Sequence, residues 1–157
     1  MSTHAVCYGG MKLPPRVVLG TDHAGFQLKE AVKRHLISQD IDVVDCGCFT
    51  PESCDYPPIM LQAGAAVKEY GCPGIIFGGS GNGEAMVANK VHGIRAARCV
   101  SEWDAEMARK HNDAHIMSLG GRVTTPETAL KMVDIFLTAD FEGGRHIARL
   151  KQFPDAA

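Results

Sequence analysis

Short runs of apolar, often β-branched residues alternate along this chain with longer stretches whose apolar positions recur every three or four residues. Arg16-Val-Val-Leu-Gly-Thr21 is the first such run, and Phe26, Leu28, Ala31, Val32, Leu36 and Ile37 then recur near helical spacing across residues 25–37. Further strands are predicted over 41–44, 74–77, 94–100 and 116–119, and further helices over 57–70, 84–91, 102–110, 126–137 and 144–152. Pro57 suits a first helical turn, and Thr125 before Pro126 suits a helix cap. Strands this short and apolar, separated by helices, predict a parallel sheet covered on both faces. The expected fold is α/β, an open three-layer α/β/α sandwich with a Rossmann-like parallel sheet of about five strands. Ligands in such sheets sit at the carboxyl ends of the strands, so the segments after Thr21, Phe77, Val100 and Leu119 are where chemistry is expected.

Residues 1–15 carry Gly9, Gly10, Pro14 and Pro15 without a sustained period and are expected to form a flexible or loosely docked leader, with one domain over 16–157. The length of 157 residues, with 45% hydrophobic and 22% charged, suits one folded domain with a real core. A formal charge of −2 gives no global attraction to nucleic acid or anionic membrane, so any bound anion must be held locally. No apolar run approaches the ~18 residues of a membrane span and no signal peptide is evident, which points to a cytoplasmic protein without a membrane partner. The six cysteines are expected to be free thiols, because a chain with this core does not need bridges. Cys46, Cys48 and Cys54 lack both a paired knuckle and a well-spaced fourth ligand, so no metal is expected.

Gly78-Gly-Ser-Gly-Asn-Gly-Glu84 lies between a predicted strand and helix, where free N–H groups and the helix dipole can hold negative charge. Its glycines do not fit the dinucleotide spacing, and Glu84 stands where a Walker loop has lysine. A carboxylate there repels nucleotide phosphates; in a first helical turn it suits a general base. Arg145 and Arg149 are four residues apart and project from one helix face, a match for a phosphate dianion or simply a solvated face. Asp22-His23 follows the first strand, His111-Asn112 ends the fourth helix, and Arg122 follows Gly120-Gly121. A base, proton shuttles and cations without metal or nucleotide signatures suit proton transfer beside a carbonyl in a small phosphorylated molecule.

Gly20-Thr-Asp-His-Ala-Gly25, Asp55-Tyr-Pro57, Gly78 to Glu84 followed by Ala88-Asn-Lys90, Gly93-Ile-Arg-Ala96, His111-Asn-Asp113, Gly120-Gly-Arg122 and Phe141-Glu-Gly-Gly-Arg-His146 together resemble the B-type ribose-5-phosphate isomerases, a family that includes galactose-6-phosphate isomerase subunits. The resemblance runs in order from about Arg16 to Lys151. It implies metal- and cofactor-independent interconversion of ribose 5-phosphate and ribulose 5-phosphate through a cis-enediolate, a step of the pentose phosphate pathway. It also implies a homodimer whose sites combine residues of both subunits, with a tetramer not distinguished.

Carried onto this sequence, Asp22, Ser80 and His111 would surround the ring oxygen and anomeric hydroxyl, and Tyr56 would line the sugar pocket. Ser80 and the N–H groups of Gly79, Gly81, Asn82 and Gly83, with Asn112, would stabilise the enediolate oxygen. His23, Arg122, Arg145 and Arg149 would hold the phosphate, with His146 close by. Many members have a cysteine base where this chain has Gly78; the branch lacking it has a glutamate six positions later, here Glu84. The same machinery would serve a tetrose or hexose phosphate, and a non-catalytic sugar-phosphate sensor needs only the cations.

Overall fold

The computed structural model describes residues 6–8 and 11–156. An antiparallel hairpin, β1 (Val6–Tyr8) and β2 (Met11–Leu13), precedes the alternating elements. These are β3 (Arg16–Thr21), α1 (Phe26–Ser38), β4 (Asp42–Asp45), α2 (Tyr56–Tyr70), β5 (Gly74–Gly78), α3 (Asn82–Ala88), β6 (Ala96–Arg98), α4 (Glu102–Lys110), β7 (Ile116–Gly120), α5 (Pro126–Thr138) and α6 (Arg145–Leu150). The five strands from β3 onward form one parallel sheet in the order β4-β3-β5-β7-β6.

Strand periodicity explains the layers. Val17, Leu19, Ile75, Phe77, Met117 and Leu119 point to the side where α1, α4 and α5 pack, through residues such as Val32, Ala105 and Phe136. Their neighbours Val18, Ile76 and Ile116 point to the opposite side, against Met60, Ala63 and Val67 of α2 and Ala88 of α3. Both faces are therefore dry, as the apolar runs require. Thr21 pairs with Phe77, and Gly78 with Gly120, so the carboxyl ends of β3, β5 and β7 finish level with one another. The chain leaves β3 for β4 on one side and reaches β5 on the other, which opens a crevice where the direction of winding changes.

Local chemistry moves several predicted boundaries. The helix expected from Glu84 starts at Asn82, because Gly81 at φ 84° adopts the left-handed conformation that turns the loop into it. The strand expected over 94–100 shrinks to Ala96–Arg98, since the Asn89 side chain brackets Ala96 through its N–H at 2.8 Å and its carbonyl at 2.9 Å. The leader expected to be flexible or loosely docked lies partly outside the described residues. Within them, Leu13 is buried in the core and pairs with Val6, because this one apolar side chain has a place beneath α5. The expectation of free thiols is corrected at two positions, for the loop after β4 folds back so that Cys48 and Cys54 form a disulfide. Core size, the premise of that expectation, does not govern two cysteines brought together by a short loop. Cys46, Cys72 and Cys99 are free. Among the described residues no helix is long and apolar enough to cross a membrane.

One charged group lies in the interior. The Lys29 side chain is fully buried, and its Nζ meets Asp45 Oδ2 at 2.7 Å, the Cys48 carbonyl at 2.8 Å and Glu30 Oε1 at 3.2 Å. Burial alone would raise the Asp45 carboxyl, but hydrogen bonds from Lys29, the Gly47 N–H and Lys33 outweigh it and hold the carboxyl below its ordinary value. Asp45 thus adds stability above the ordinary carboxylate pKa, and that contribution is lost as pH falls through the lowered value. Lys29→Met should reduce unfolding free energy in urea by about 3 kcal/mol, the low end for a broken buried pair because Lys33 still faces Asp45. Unchanged stability would mean that Lys33 alone suffices.

Candidate active site

The site begins where β3 ends. Asp22 Oδ1 accepts the N–H groups of Ala24 at 2.9 Å and Gly25 at 3.1 Å, a turn that leads the chain into α1. A Cβ on Gly25 would lie 2.6 Å from Phe77 Cβ and Thr21 Oγ1, so only glycine lets this turn lie against the end of β5. That close approach sets Asp22 beside the segment 78–84.

Glu84 is the third residue of α3 and only 4% exposed. A Cβ built on Gly78 would fall onto the Glu84 carboxyl group. The carboxyl therefore fills the space that a side chain at position 78 would take, at the end of β5. Burial raises the Glu84 pKa against the N–H groups of Glu84 and Gly81, and the neighbouring Asp22 carboxylate raises it further. A carboxylate raised in this way is a stronger base than an exposed one.

The loop before α3 is fixed from several sides. Ser118 Oγ donates to the Gly81 carbonyl at 2.7 Å, Arg98 Nε donates to the Ser80 carbonyl at 2.8 Å, and Ser80 Oγ accepts the Asn82 N–H at 3.1 Å. Among the described residues, the N–H groups of Ser80 and Gly83 donate to no backbone carbonyl and are left for an anionic oxygen. The turn after β7 lies over this loop, with the N–H groups of Gly121 and Arg122 donating to the carbonyls of Gly78 at 2.7 Å and Gly79 at 3.1 Å. Tyr56 opens α2, and a Cβ on Gly83 would meet its hydroxyl at 2.5 Å, so phenol and loop are in close contact.

These elements enclose an open cavity of about 850 Å³, lined by Asp22, His23, Tyr56, Gly79, Ser80, Gly83, Glu84 and Arg122 among others. Gly81 and Asn82 support the loop without lining the cavity. Ser53, Cys54, Asp55 and Val123 line it as well, although the sequence reading gave them no role. Only the motif Asp55-Tyr-Pro57 pointed to that wall.

The remaining predicted residues form a second group that does not line this cavity. His111 and Asn112 follow α4, while Arg145, His146 and Arg149 lie on α6. Gly143 at φ 68° and Gly144 at φ 57° turn the chain into α6. The rings of His111 and His146 stack with centroids 4.4 Å apart and an interplanar angle of 18°. Glu142 Oε2 lies 3.5 Å from His146 Nε2 and 4.0 Å from His111 Nε2. Buried His146 Nε2 has no hydrogen-bond partner. Three donor atoms within 4.8 Å of one another resemble a metal cluster, but stacked rings cannot both aim in-plane lone pairs at one ion without turning. Arg145 and Arg149 are exposed and, among the described residues, form no ion pair. Asn112 lines a different cavity of about 430 Å³, and its backbone carbonyl accepts a hydrogen bond from Arg95 Nε at 2.9 Å.

Known proteins resemble this chain in sequence and fold. Residues 17–153 match the Ribose/Galactose Isomerase family. Ribose-5-phosphate isomerase B of Escherichia coli K12 is 38% identical over 87% of this chain and 92% of its own length. That of Mycobacterium leprae is 43% identical over 86% and 85%. Among solved structures, Clostridium thermocellum ribose-5-phosphate isomerase B superposes with a TM-score of 0.85 at 43% identity, covering 87% of this chain and 93% of that one. The Mycoplasma genitalium ribose-5-phosphate isomerase B, solved with bound ribulose-5-phosphate, gives 0.83 at 38% identity, with 87% and 92% covered. Motif order, sheet topology and these similarities converge, and the chain belongs to the ribose/galactose isomerase family.

Proposed function

We propose that this chain interconverts ribose 5-phosphate and ribulose 5-phosphate through a cis-enediolate, with Glu84 as the base. The observation that carries this reading is the placement of the Glu84 carboxyl in the space of the absent side chain at position 78, in a cavity that Asp22 and Ser80 also line. Family members similar to this chain are named for that activity. In the aldose-to-ketose direction Glu84 takes the proton from C2 as negative charge develops on the C1 oxygen. It returns the proton to C1 while the proton of the C2 hydroxyl passes to the C1 oxygen, which leaves a carbonyl at C2 and a hydroxyl at C1. The unpaired N–H groups of Ser80 and Gly83 suit the developing oxyanion, because preorganised donors act most strongly where charge appears in the transition state.

Asp22 and Ser80 lie where they can surround the ring oxygen and anomeric hydroxyl, and Tyr56 lines the sugar pocket. His23 and Arg122 meet the phosphate from the same chain. His111, for ring opening, Asn112, and the cations of Arg145 and Arg149 with His146 nearby are supplied by a second copy in a homodimer. Their absence from the cavity lining supports this division.

Turnover of purified protein on ribose 5-phosphate in the presence of EDTA tests the reading. Rapid ribulose 5-phosphate formation is expected. No turnover on this substrate, with activity on four- or six-carbon sugar phosphates, would transfer the mechanism to another sugar. Binding without turnover on any of them would sink the catalytic reading.

A further inference from the structure

The Cys48–Cys54 disulfide closes the segment that forms one wall of the cavity. At its inner end the backbone is fastened twice, by the Cys48 N–H donating to the Thr21 carbonyl at 2.7 Å and by buried Lys29 donating to the Cys48 carbonyl at 2.8 Å. At its outer end the only hydrogen-bond partner among the described residues is His23, whose Nδ1 lies 3.3 Å from the Cys54 nitrogen and 3.4 Å from its oxygen. Residues 49–53 between them are exposed and, among the described residues, make no backbone–backbone hydrogen bond. Asp55 and Tyr56, which start α2 and line the cavity, follow directly. The sulfur–sulfur bond thus joins the fixed end of this wall directly to the end that faces substrate.

We infer that Cys48 and Cys54 form a reversible redox site that sets substrate affinity, tight when the pair is oxidised and weaker when it is reduced. The effect on affinity rests on the isomerase reading; the redox site does not. A thiolate of a dithiol reductant attacks Sγ of Cys54, the more exposed partner, and the electron pair of the broken bond leaves on Cys48, which takes up a proton. The second thiol of the reductant then displaces Cys54, so two electrons and two protons pass to the protein and the reductant becomes a cyclic disulfide. A disulfide oxidant reverses the sequence. Cys46 is a poor competitor in the exchange, since it is buried and its thiol is pushed up by that burial and by the Asp45 carboxylate.

Once the tie is cut, residues 49–53 are released and substrate binding must order Ser53 and Cys54 itself. Ordering a few side chains at a binding surface corresponds to a KM increase of roughly three- to tenfold. Glu84 stands on α3, which is fastened independently, so kcat should change little.

The experiment equilibrates the purified protein with reduced or oxidised dithiothreitol, counts alkylated thiols by mass, and measures KM and kcat for ribose 5-phosphate. Chymotrypsin cleavage after Phe49, which is 69% exposed, gives a second readout that needs no activity. Reduction should free two thiols, raise KM and speed cleavage. Cys48→Ser and Cys54→Ser should each hold the high KM whatever the redox state, while Cys72→Ser should keep the full response. Two new thiols with unchanged KM would overturn the control of affinity, and no change in thiol count would overturn the redox site. Absence of turnover in both states would instead remove the isomerase reading; faster cleavage on reduction would then still support the redox site, and equal cleavage would overturn it.

Discussion

Glu84→Gln should lower kcat for ribose 5-phosphate by about two to four orders of magnitude, the range for a general base, and should also raise the melting temperature at neutral pH. Both effects come from one buried group. Glutamine fills the same volume but cannot accept the C2 proton. It also removes a charge that the fold holds at a cost, because burial and then Asp22 raise the carboxyl pKa in the folded chain. The folded state therefore retains its proton at a pH where the unfolded chain has released it. Stability falls as pH rises from the ordinary carboxylate pKa through the raised one, and the penalty is fully present above that value. The acid limb of kcat/KM should report the same group and lie above the ordinary carboxylate range. Gly78→Ala should also abolish most turnover without removing any reacting group, since its Cβ would displace the Glu84 carboxyl. Near-normal kcat in Glu84→Gln would refute the assignment, and a lower melting temperature would show that the carboxylate is held by partners stronger than its desolvation.

Much of this arrangement can be read from the chain because the deciding signals are local. The apolar runs and helical periods placed the five parallel strands, and the glycine run between Phe77 and Glu84 marked the loop at the sheet's carboxyl edge. What escaped were properties that arise only when distant residues meet. Lys29 reads as an ordinary polar helix position, yet it is buried because Asp45 and the Cys48 carbonyl wait beneath it. The Cys48–Cys54 bond depends on how the loop after β4 turns back, which spacing alone does not specify. The coincidence of the Glu84 carboxyl with the side-chain space of Gly78 is likewise invisible without coordinates. Resemblance identified His111 and Arg149 as site residues, but only the fold shows that neither lines the cavity containing Glu84 of the same chain.

That separation leads to the prediction that most directly tests a shared site. Glu84→Gln and His111→Ala homodimers should each be nearly inactive, whereas a heterodimer of the two, isolated through different affinity tags, should regain about half of wild-type turnover per dimer. In a site built across the two-fold axis, Glu84 of one copy works with His111 of the other. One of the two sites then collects both substitutions and the second collects neither. If each chain instead used its own His111, every site in the heterodimer would carry one defect and no activity would return. The same outcome decides the role of α6, because Arg145, His146 and Arg149 stand with His111 through the stacked histidine rings and would cross the interface with it. Pairing Glu84→Gln with Arg149→Ala should therefore restore turnover to the same extent, and restoration with one partner but not the other would split this group between the two subunits.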